Sequence, residues 1–240
     1  MSELKVSAHL QSNYKDYYKE PDSEWRSLGA IDKAHNIQTL CNDLQINSVI
    51  EIGAGEGAIL QQLSALDFAK DLYALEISPT GVTAIKNRNI PCLKECVLFD
   101  GYNIPYGKTR FDLAVLSHVV EHIEYPRKLL YEAKRIARYV FVEVPLEDTV
   151  RLSRDFRFDK VGHINFYSPK TIRRLIQSCD LKVLNQKTTN LPKDGYVFRH
   201  GKKGLINYYI KEYLLKFFPR LATEIFTYHS SIICEDNVEG

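Results

Sequence analysis

Residues 48–60 read Ser-Val-Ile-Glu-Ile-Gly-Ala-Gly-Glu-Gly-Ala-Ile-Leu. This stretch restricts the chain more than any other: a short apolar β-type run breaks into glycines at every second position and resumes as helix-forming sequence. Val49, Ile50 and Ile52 suit a buried strand, and Gly53, Gly55 and Gly57 let the backbone turn sharply and approach a ligand with no Cβ in the way. A cofactor is expected at this turn. The pattern is G-x-G-x-G, with Ala58 where a dinucleotide fingerprint carries its third glycine or an alanine, so spacing alone leaves a nicotinamide dinucleotide open. Glu51 separates the two readings. A carboxylate two positions before the first glycine can accept from a cationic amino group or from the adjoining loop. A pyrophosphate at the same helix N-terminus gains nothing from it. The residues favour an amino-acid-bearing nucleoside over a dinucleotide.

Further along, Asp71-Leu-Tyr-Ala-Leu-Glu-Ile-Ser78 forms a second strand-like run ending in Glu76, 25 residues beyond Glu51. A carboxylate at that strand end can accept from both hydroxyls of a ribose. Cys92 to Phe99 is a third run, closed by Asp100-Gly101, and Phe111 to Ile123 is a fourth, containing Ser117, His118, Glu121 and His122. In this order the segments resemble the motifs of class I S-adenosylmethionine-dependent methyltransferases, small-molecule type. Glu51-Ile-Gly-Ala-Gly-Glu-Gly57 is similar to the family's first motif, (D/E)-x-G-x-G-x-G. The resemblance implies S-adenosylmethionine as cofactor and S-adenosylhomocysteine as product. It implies cofactor contacts from Glu51, Gly53, Ala54, Gly55, Gly57 and Glu76, from Ile77 beside the adenine, from Asp100 and Gly101 near its amino group, and from Ser117 and His118 at the methionine end. It also implies a Rossmann-like, doubly wound α/β fold. Its seven-stranded sheet has the order 3-2-1-4-5-7-6, the last strand antiparallel and helices on both faces.

The rest of the chain agrees with a strand–helix alternation. Ala30 to Leu44 keeps a period near 3.6 through Ile31, Ala34, Ile37, Leu40 and Cys41. Ser78-Pro79 and Ser168-Pro169 each open a helix with proline at its first position. Further elements are expected as a helix over 127–137 and strands over 139–144, 181–188 and 227–234. A single domain covering 1–240 is expected: a helical cap over 1–45, a cofactor-binding core over 46–145, an acceptor-side loop over 146–168 and a helical insertion over 190–226. The net charge of +2 is far from the strongly basic balance that bulk nucleic-acid binding favours, so no nucleic-acid partner is expected. Cys41, Cys92, Cys96, Cys179 and Cys234 lack paired metal-ligand spacing and read as buried thiols of a reducing compartment. The N-terminal residues lack a charged leader followed by an apolar core, and no apolar run is long enough to span a bilayer. A cytoplasmic protein without membrane contact is the expectation.

The acceptor, expected to be a small anionic or aromatic molecule, is assigned to three regions outside the minimal sheet, the N-terminal aromatic segment, residues 145–168 and the insertion at 190–226, with His118, Glu121 and His122 a separate possibility. Tyr14, Tyr17, Tyr18 and Trp25 can close over the cofactor or pack as apolar mass. Arg151, Arg154, Arg157 and Lys160, interleaved with Asp155 and Asp159, can place three arginines on one helical face for an anionic group, or form a solvated surface. His163 is the expected general base: imidazole titrates near neutrality, and by resemblance its Gly-His-x-x-x-(Phe/Tyr) stretch faces the acceptor. His118, Glu121 and His122 resemble the Glu-x-x-Glu-His segment of quinone-precursor O-methyltransferases, with His118 in place of the first carboxylate. Two imidazoles disfavour magnesium, and no metal is expected; His122 is assigned to the acceptor pocket. In the insertion, Leu205, Tyr208, Tyr209, Tyr213, Leu214, Phe217 and Phe218 supply more apolar surface than a solvated helix needs. Packing on the sheet edge ranks first, a homodimer interface or acceptor-pocket wall second, and interfacial membrane contact third. O-methylation leads N- and C-methylation. A non-catalytic cofactor-binding regulator and a nicotinamide oxidoreductase stand as the other classes.

Overall fold

In a computed structural model, the described residues are 5–7, 10, 12, 14, 18, 23–157 and 162–237, with Ser23 described in its backbone alone. Tyr17, Asp159 and Lys160 lie outside them. The strands are β1 (Ser48–Ile52), β2 (Asp71–Glu76), β3 (Leu93–Leu98), β4 (Phe111–Ser117), β5 (Ala137–Leu146), β6 (Leu181–Thr189) and β7 (Tyr228–Asp236). They form one sheet of order β3-β2-β1-β4-β5-β7-β6. The first five run parallel, and β7 is antiparallel to both β5 and β6. This is the expected sheet. Parallel strands buried on both faces must be apolar almost throughout, which is what β1, β4 and β5 provide.

Alternate side chains divide the core into two layers. Ile50, Ile52, Leu116, Val140 and Val142 face one side, against Leu129, Leu130, Ala133 and Ile136 of α4 (Pro126–Ile136) and Ile172 and Ile176 of α5 (Pro169–Gln177). Val49, Val115 and Phe141 face the other. There they meet Ala34 and Ile37 of α1 (Ser23–Leu40), Ile59, Leu60 and Leu63 of α2 (Ala58–Ala65), and Ile85 of α3 (Pro79–Asn87). Phe141 is fully buried at the centre of this second layer. Phe141→Ala is expected to cost about 3–5 kcal/mol of unfolding free energy by lost transfer and cavity terms. Urea denaturation checks this, and a loss below about 1 kcal/mol would mean the layer recloses freely.

Local chemistry sets the element ends. Ser78 accepts from Gly81 N as the N-cap of α3, and Ser168 and Thr171 form a capping box on α5. The helix read over 30–44 is displaced toward the N-terminus, because Thr39-Leu40 is followed by turns at 41–43 and Ser23 already begins the helix. Residues 149–157 form turns and bends, so the arginines there do not share a helical face. The insertion resolves into α6 (Lys193–His200), α7 (Gly204–Phe217) and α8 (Pro219–Ile225), broken by Gly201 and Pro219. Cys92 and Cys96 lie on one side, packed against the second layer, but are half-buried; Cys41, Cys179 and Cys234 are fully buried. All five are free thiols. Among the described residues no helix is long and apolar enough to cross a membrane.

Candidate active site

Parallel strands bring the tips of β1, β2 and β4 to one edge, and the glycine turn folds across it. Gly53 N and Ala54 N donate to Leu75 O at 2.8 and 3.0 Å, so the turn is fastened to β2. Gly53 and Gly55 hold φ of +75° and +59°, where a side chain is strained. A Cβ on Gly55 would stand 3.0 Å from the Tyr18 hydroxyl, and one on Gly53 only 2.7 Å from Val119. The turn is therefore a cradle that a larger residue would fill. Gly81, in the first turn of α3, completes it: a Cβ there would lie 2.7 Å from Gly55 O and 2.8 Å from Glu76 Cγ. Sequence reading passed over Gly81, because only the turn folding back on α3 reveals the close approach.

Glu76 anchors the turn from β2. Its Oε2 accepts from Gly55 N at 2.8 Å and its Oε1 from Ser78 N at 2.9 Å. Burial raises its pKa to about 7, although the backbone donors act in the opposite sense. Glu51 is 2% exposed, and its Oε2 has no hydrogen-bond partner. Burial pushes its carboxyl up to about 8 despite the nearby Lys33, and Glu76 adds to the rise. A buried acceptor without a partner on a ligand crevice is costly unless the ligand supplies the donor.

Two joined pockets open here. The smaller, about 540 Å³ including its mouth, lies between Glu76, Ile77, Phe99, Gly101 and Val119. The larger, about 1700 Å³ on the same measure, takes in Glu51, Ala54, Gly55, Ser117, Trp25, Lys33, Glu147, His163, Arg199 and His229. Gly53, His118, His122, Tyr14 and Tyr18 line both. The structure therefore brings together Glu51, Gly53, Ala54, Gly55, Glu76, Ile77, Gly101, Ser117 and His118 with Tyr14, Tyr18, Trp25, His122 and His163. Four expected contacts lie elsewhere. Gly57 packs on Ile85 and Ile90, where a Cβ would meet them at 3.1 and 3.3 Å. The Asp100 carboxylate is taken up by its own turn, accepting from Tyr102 N and Asn103 N at 2.9 and 2.7 Å. Burial alone would raise its pKa, but the Asn103 and Tyr102 donors outweigh it and hold the group below the ordinary range. Arg151 and Arg154 are exposed and line neither pocket, Arg151 lying over the Phe226 ring at 4.7 Å. The cations that do line the larger pocket are Arg26, Lys33 and Arg199. Arg26 is bound to Glu56 at 2.9 Å and Arg199 sits 4.0 Å over the Trp25 ring.

At the far wall, His163 Nδ1 lies 2.7 Å from Glu147 Oε2. A carboxylate can only accept, so Nδ1 carries the proton and Nε2 is the basic nitrogen of the neutral ring. Glu147 follows β5 directly and was missed, since 16 residues separate it from His163 with no local spacing to link them. The His122 and His163 ring centroids are 4.7 Å apart, and His122 Nδ1 donates to Gly162 O at 3.2 Å.

His118 adopts φ +57° at the end of β4, with its N donating to Glu143 O at 2.9 Å. Its ring meets His229 edge-on at 4.8 Å. Burial, with Lys33 and the neighbouring imidazoles, holds His118 neutral well below its ordinary range, and burial and His118 lower His229 to about 3. His229 reaches the site only because β7 pairs it with Pro145, a register invisible in the sequence.

Among the described residues two donor clusters could hold a cation, His118–Glu143–His229 and Glu121–His122–His163, each with its ligand atoms within 4.8 Å of one another. Glu143 already accepts from Asn36 and Ser231, at 3.2 and 2.5 Å. Glu121 is fully buried, and neither carboxylate oxygen has a hydrogen-bond partner; His118 Nδ1 is 3.2 Å from Oε1, out of alignment. Burial raises its pKa.

The profile of a family described as a methyltransferase domain matches residues 20–186. The chain belongs to the methyltransferase-domain family. Its match to a mitochondrial ubiquinone biosynthesis O-methyltransferase of Candida albicans is 24% identical over 160 residues, 63% of this chain but 48% of that protein. This chain thus spans about half the length of that relative. A SAM-dependent methyltransferase of Aquifex aeolicus superposes with a TM-score of 0.55 at 14% identity, over 93% of this chain and 97% of that one. The [4+2]-cyclase SpnF superposes at 0.60 and 12% identity, over 85% of this chain and 81% of that one. The likeness to the cyclase means that this fold hosts more than one reaction, so the chemistry lies in the side chains.

Proposed function

We propose that this chain transfers a methyl group from S-adenosylmethionine to a hydroxyl of a small-molecule acceptor, with His163 as general base. The observation that carries the reading is the Glu147–His163 pair on the larger pocket, in the one tautomer that leaves Nε2 basic. The cofactor fits the crevice: Glu76 supplies acceptors for a ribose, the Ile77 and Phe99 side chains an apolar slot for adenine, and Glu51 Oε2 the unmatched acceptor for an ammonium. The cofactor contributes an activated methyl group on a sulfonium. The chain's residues align it, exclude water and remove one proton. As the acceptor oxygen bonds to the methyl carbon and the carbon–sulfur bond breaks, the hydroxyl proton passes to His163 Nε2, and Glu147 stabilises the imidazolium. Lys33 and Arg199, rather than Arg151 and Arg154, are assigned to an anionic group of the acceptor, with Tyr14, Tyr18 and Trp25 as the cap. In this assignment 46–145 is the cofactor-binding core and 146–168 the acceptor side.

The test is methyl transfer from labelled cofactor to a panel of hydroxylated metabolites. Transfer by the wild type that Glu147→Ala and His163→Ala both depress supports the reading, whereas transfer only to amines insensitive to either change contradicts it.

The raised Glu51 pKa gives cofactor binding a pH dependence. Below about 8 the empty carboxyl is mostly protonated, and an ammonium pairs with the carboxylate, so binding must expel a proton. Affinity for S-adenosylhomocysteine is expected to rise with pH between 6 and 8, with Glu51 alone contributing up to about tenfold per unit. Glu51→Gln should flatten that rise in calorimetric titrations, leaving only the same-signed contribution of Glu76. An affinity equal at pH 6 and 8 in the wild type would remove the ammonium from Glu51.

A further inference from the structure

α7 is apolar on two sides, and among the described residues only one side is packed against a neighbouring element. Leu214 and Leu215 pack on the core, and Tyr208 meets Tyr196 edge-on at 5.7 Å. Opposite them, Ile206, Tyr209, Ile210, Tyr213 and Phe217 are 47–65% exposed. At 3.6 residues per turn these five positions fall on one stripe, and exposed Phe218 and Leu221 carry it onto α8. Scattered apolar residues are ordinary on a surface; a continuous aromatic stripe marks an interaction site.

Charge identifies the partner. Between Lys193 and Ile225 there are seven lysines and arginines against three acidic residues, Asp194, Glu212 and Glu224, a surplus larger than the +2 of the whole chain. Exposed Lys202 and Lys203 precede the stripe, and exposed Lys216 and Arg220 lie within its C-terminal part. Lys193 Nζ lies 5.7 Å from the Tyr209 ring centroid and Lys216 Nζ 5.4 Å from that of Phe217. Glu212, the one acid within α7, falls about a third of a turn from the centre of the stripe. Both ends of the stripe are basic, so a second copy docked on it by two-fold symmetry would bring cations of one copy against cations of the other. A surface that is apolar beneath and anionic above meets both features: aromatic rings settle at the headgroup level, and lysine and arginine pair with phosphates.

We propose that the exposed face of α7 and α8 docks on anionic lipid bilayers, lying in the interface without crossing it. This departs from the expectation of no membrane contact and is independent of the reaction assigned above. The α6 segment that leads into this face also carries Arg199 on the larger pocket, so docking sets the pocket rim close to the lipid surface.

The full chain is to be co-sedimented with vesicles of phosphatidylcholine alone and of phosphatidylcholine with phosphatidylglycerol, at low and high salt. Binding is expected with phosphatidylglycerol and to weaken at least about tenfold without it or in high salt. Two variants, Tyr213→Ser with Phe217→Ser and Lys202→Glu with Lys203→Glu, should each weaken it at least about tenfold. All four positions are exposed, so the melting temperature should hold; if one pair lowers it, the other pair decides. The proposal is overturned if the wild type shows no preference for anionic vesicles, or if a variant with an unchanged melting temperature still binds fully. It is also overturned if the chain ignores vesicles and forms a dimer that Tyr213→Ser with Phe217→Ser dissociates.

Discussion

Glu76→Ala is expected to weaken S-adenosylhomocysteine binding by about 100-fold or more while the chain stays folded. Glu76 has two tasks. Its oxygens hold Gly55 N and Ser78 N, which shape the glycine turn, and their remaining lone pairs face the smaller pocket. Hydrogen bonds to a charged group contribute about 1.5–3 kcal/mol each, so losing two to the ribose alone corresponds to roughly 100-fold or more. Glu76→Gln retains one carbonyl acceptor and is expected to lose only about tenfold. Calorimetric titration of the three proteins checks the order, with thermal unfolding as the control for the turn. Equal affinity in Glu76→Ala and wild type would place the nucleoside somewhere other than the end of β2.

His163→Ala is expected to lower kcat by about 10²–10⁴-fold, the usual range for removing a general base, with cofactor affinity almost unchanged. The separation follows from position: His163 lines the larger pocket alone, while Glu76 and Ile77 line the smaller. Glu147→Ala should act in the same direction but less, because it removes the group that fixes the tautomer and stabilises the imidazolium, not the base. Glu147→Gln keeps an oxygen that accepts from Nδ1 and should retain more activity than Glu147→Ala. Steady-state kinetics with saturating cofactor read all three. If His163→Ala keeps full kcat, another group takes the proton or none is removed.

What the sequence disclosed divides along physical lines. Local patterns were sufficient for β1 and the turn after it, because glycine spacing and β-branched runs are imposed by the backbone itself. The sheet order followed from the family resemblance, and the alternation of strands and helices agreed with it. The positions of Glu51 and Glu76 on the crevice were legible because Glu51 stands one residue before the end of β1 and Glu76 ends β2, both at fixed places relative to the turn. Gly57 and Asp100 show the limit of that reasoning: both stand at motif positions, yet one packs on Ile85 and the other caps its own turn. Side chains brought together by tertiary register were out of reach, as with Glu147 against His163, His229 opposite Pro145, and Lys33, which lines the same pocket as Glu51. The basic stretch at 151–157 was open between a helical face for an anion and a solvated surface, because charge spacing alone does not fix a backbone; the residues are exposed on turns and bends. In the insertion the apolar surplus was visible, but not that half of it would remain exposed on α7.

The central claim is that a sulfonium nucleoside lies across the tip of β1 with its sugar on Glu76. The most direct measurement is a crystal structure of the chain grown with S-adenosylhomocysteine. The account predicts the ribose hydroxyls within hydrogen-bond distance of the Glu76 carboxylate and the ammonium beside Glu51, with the glycine turn in place. Density for the nucleoside elsewhere, or an empty crevice at saturating ligand, would contradict it.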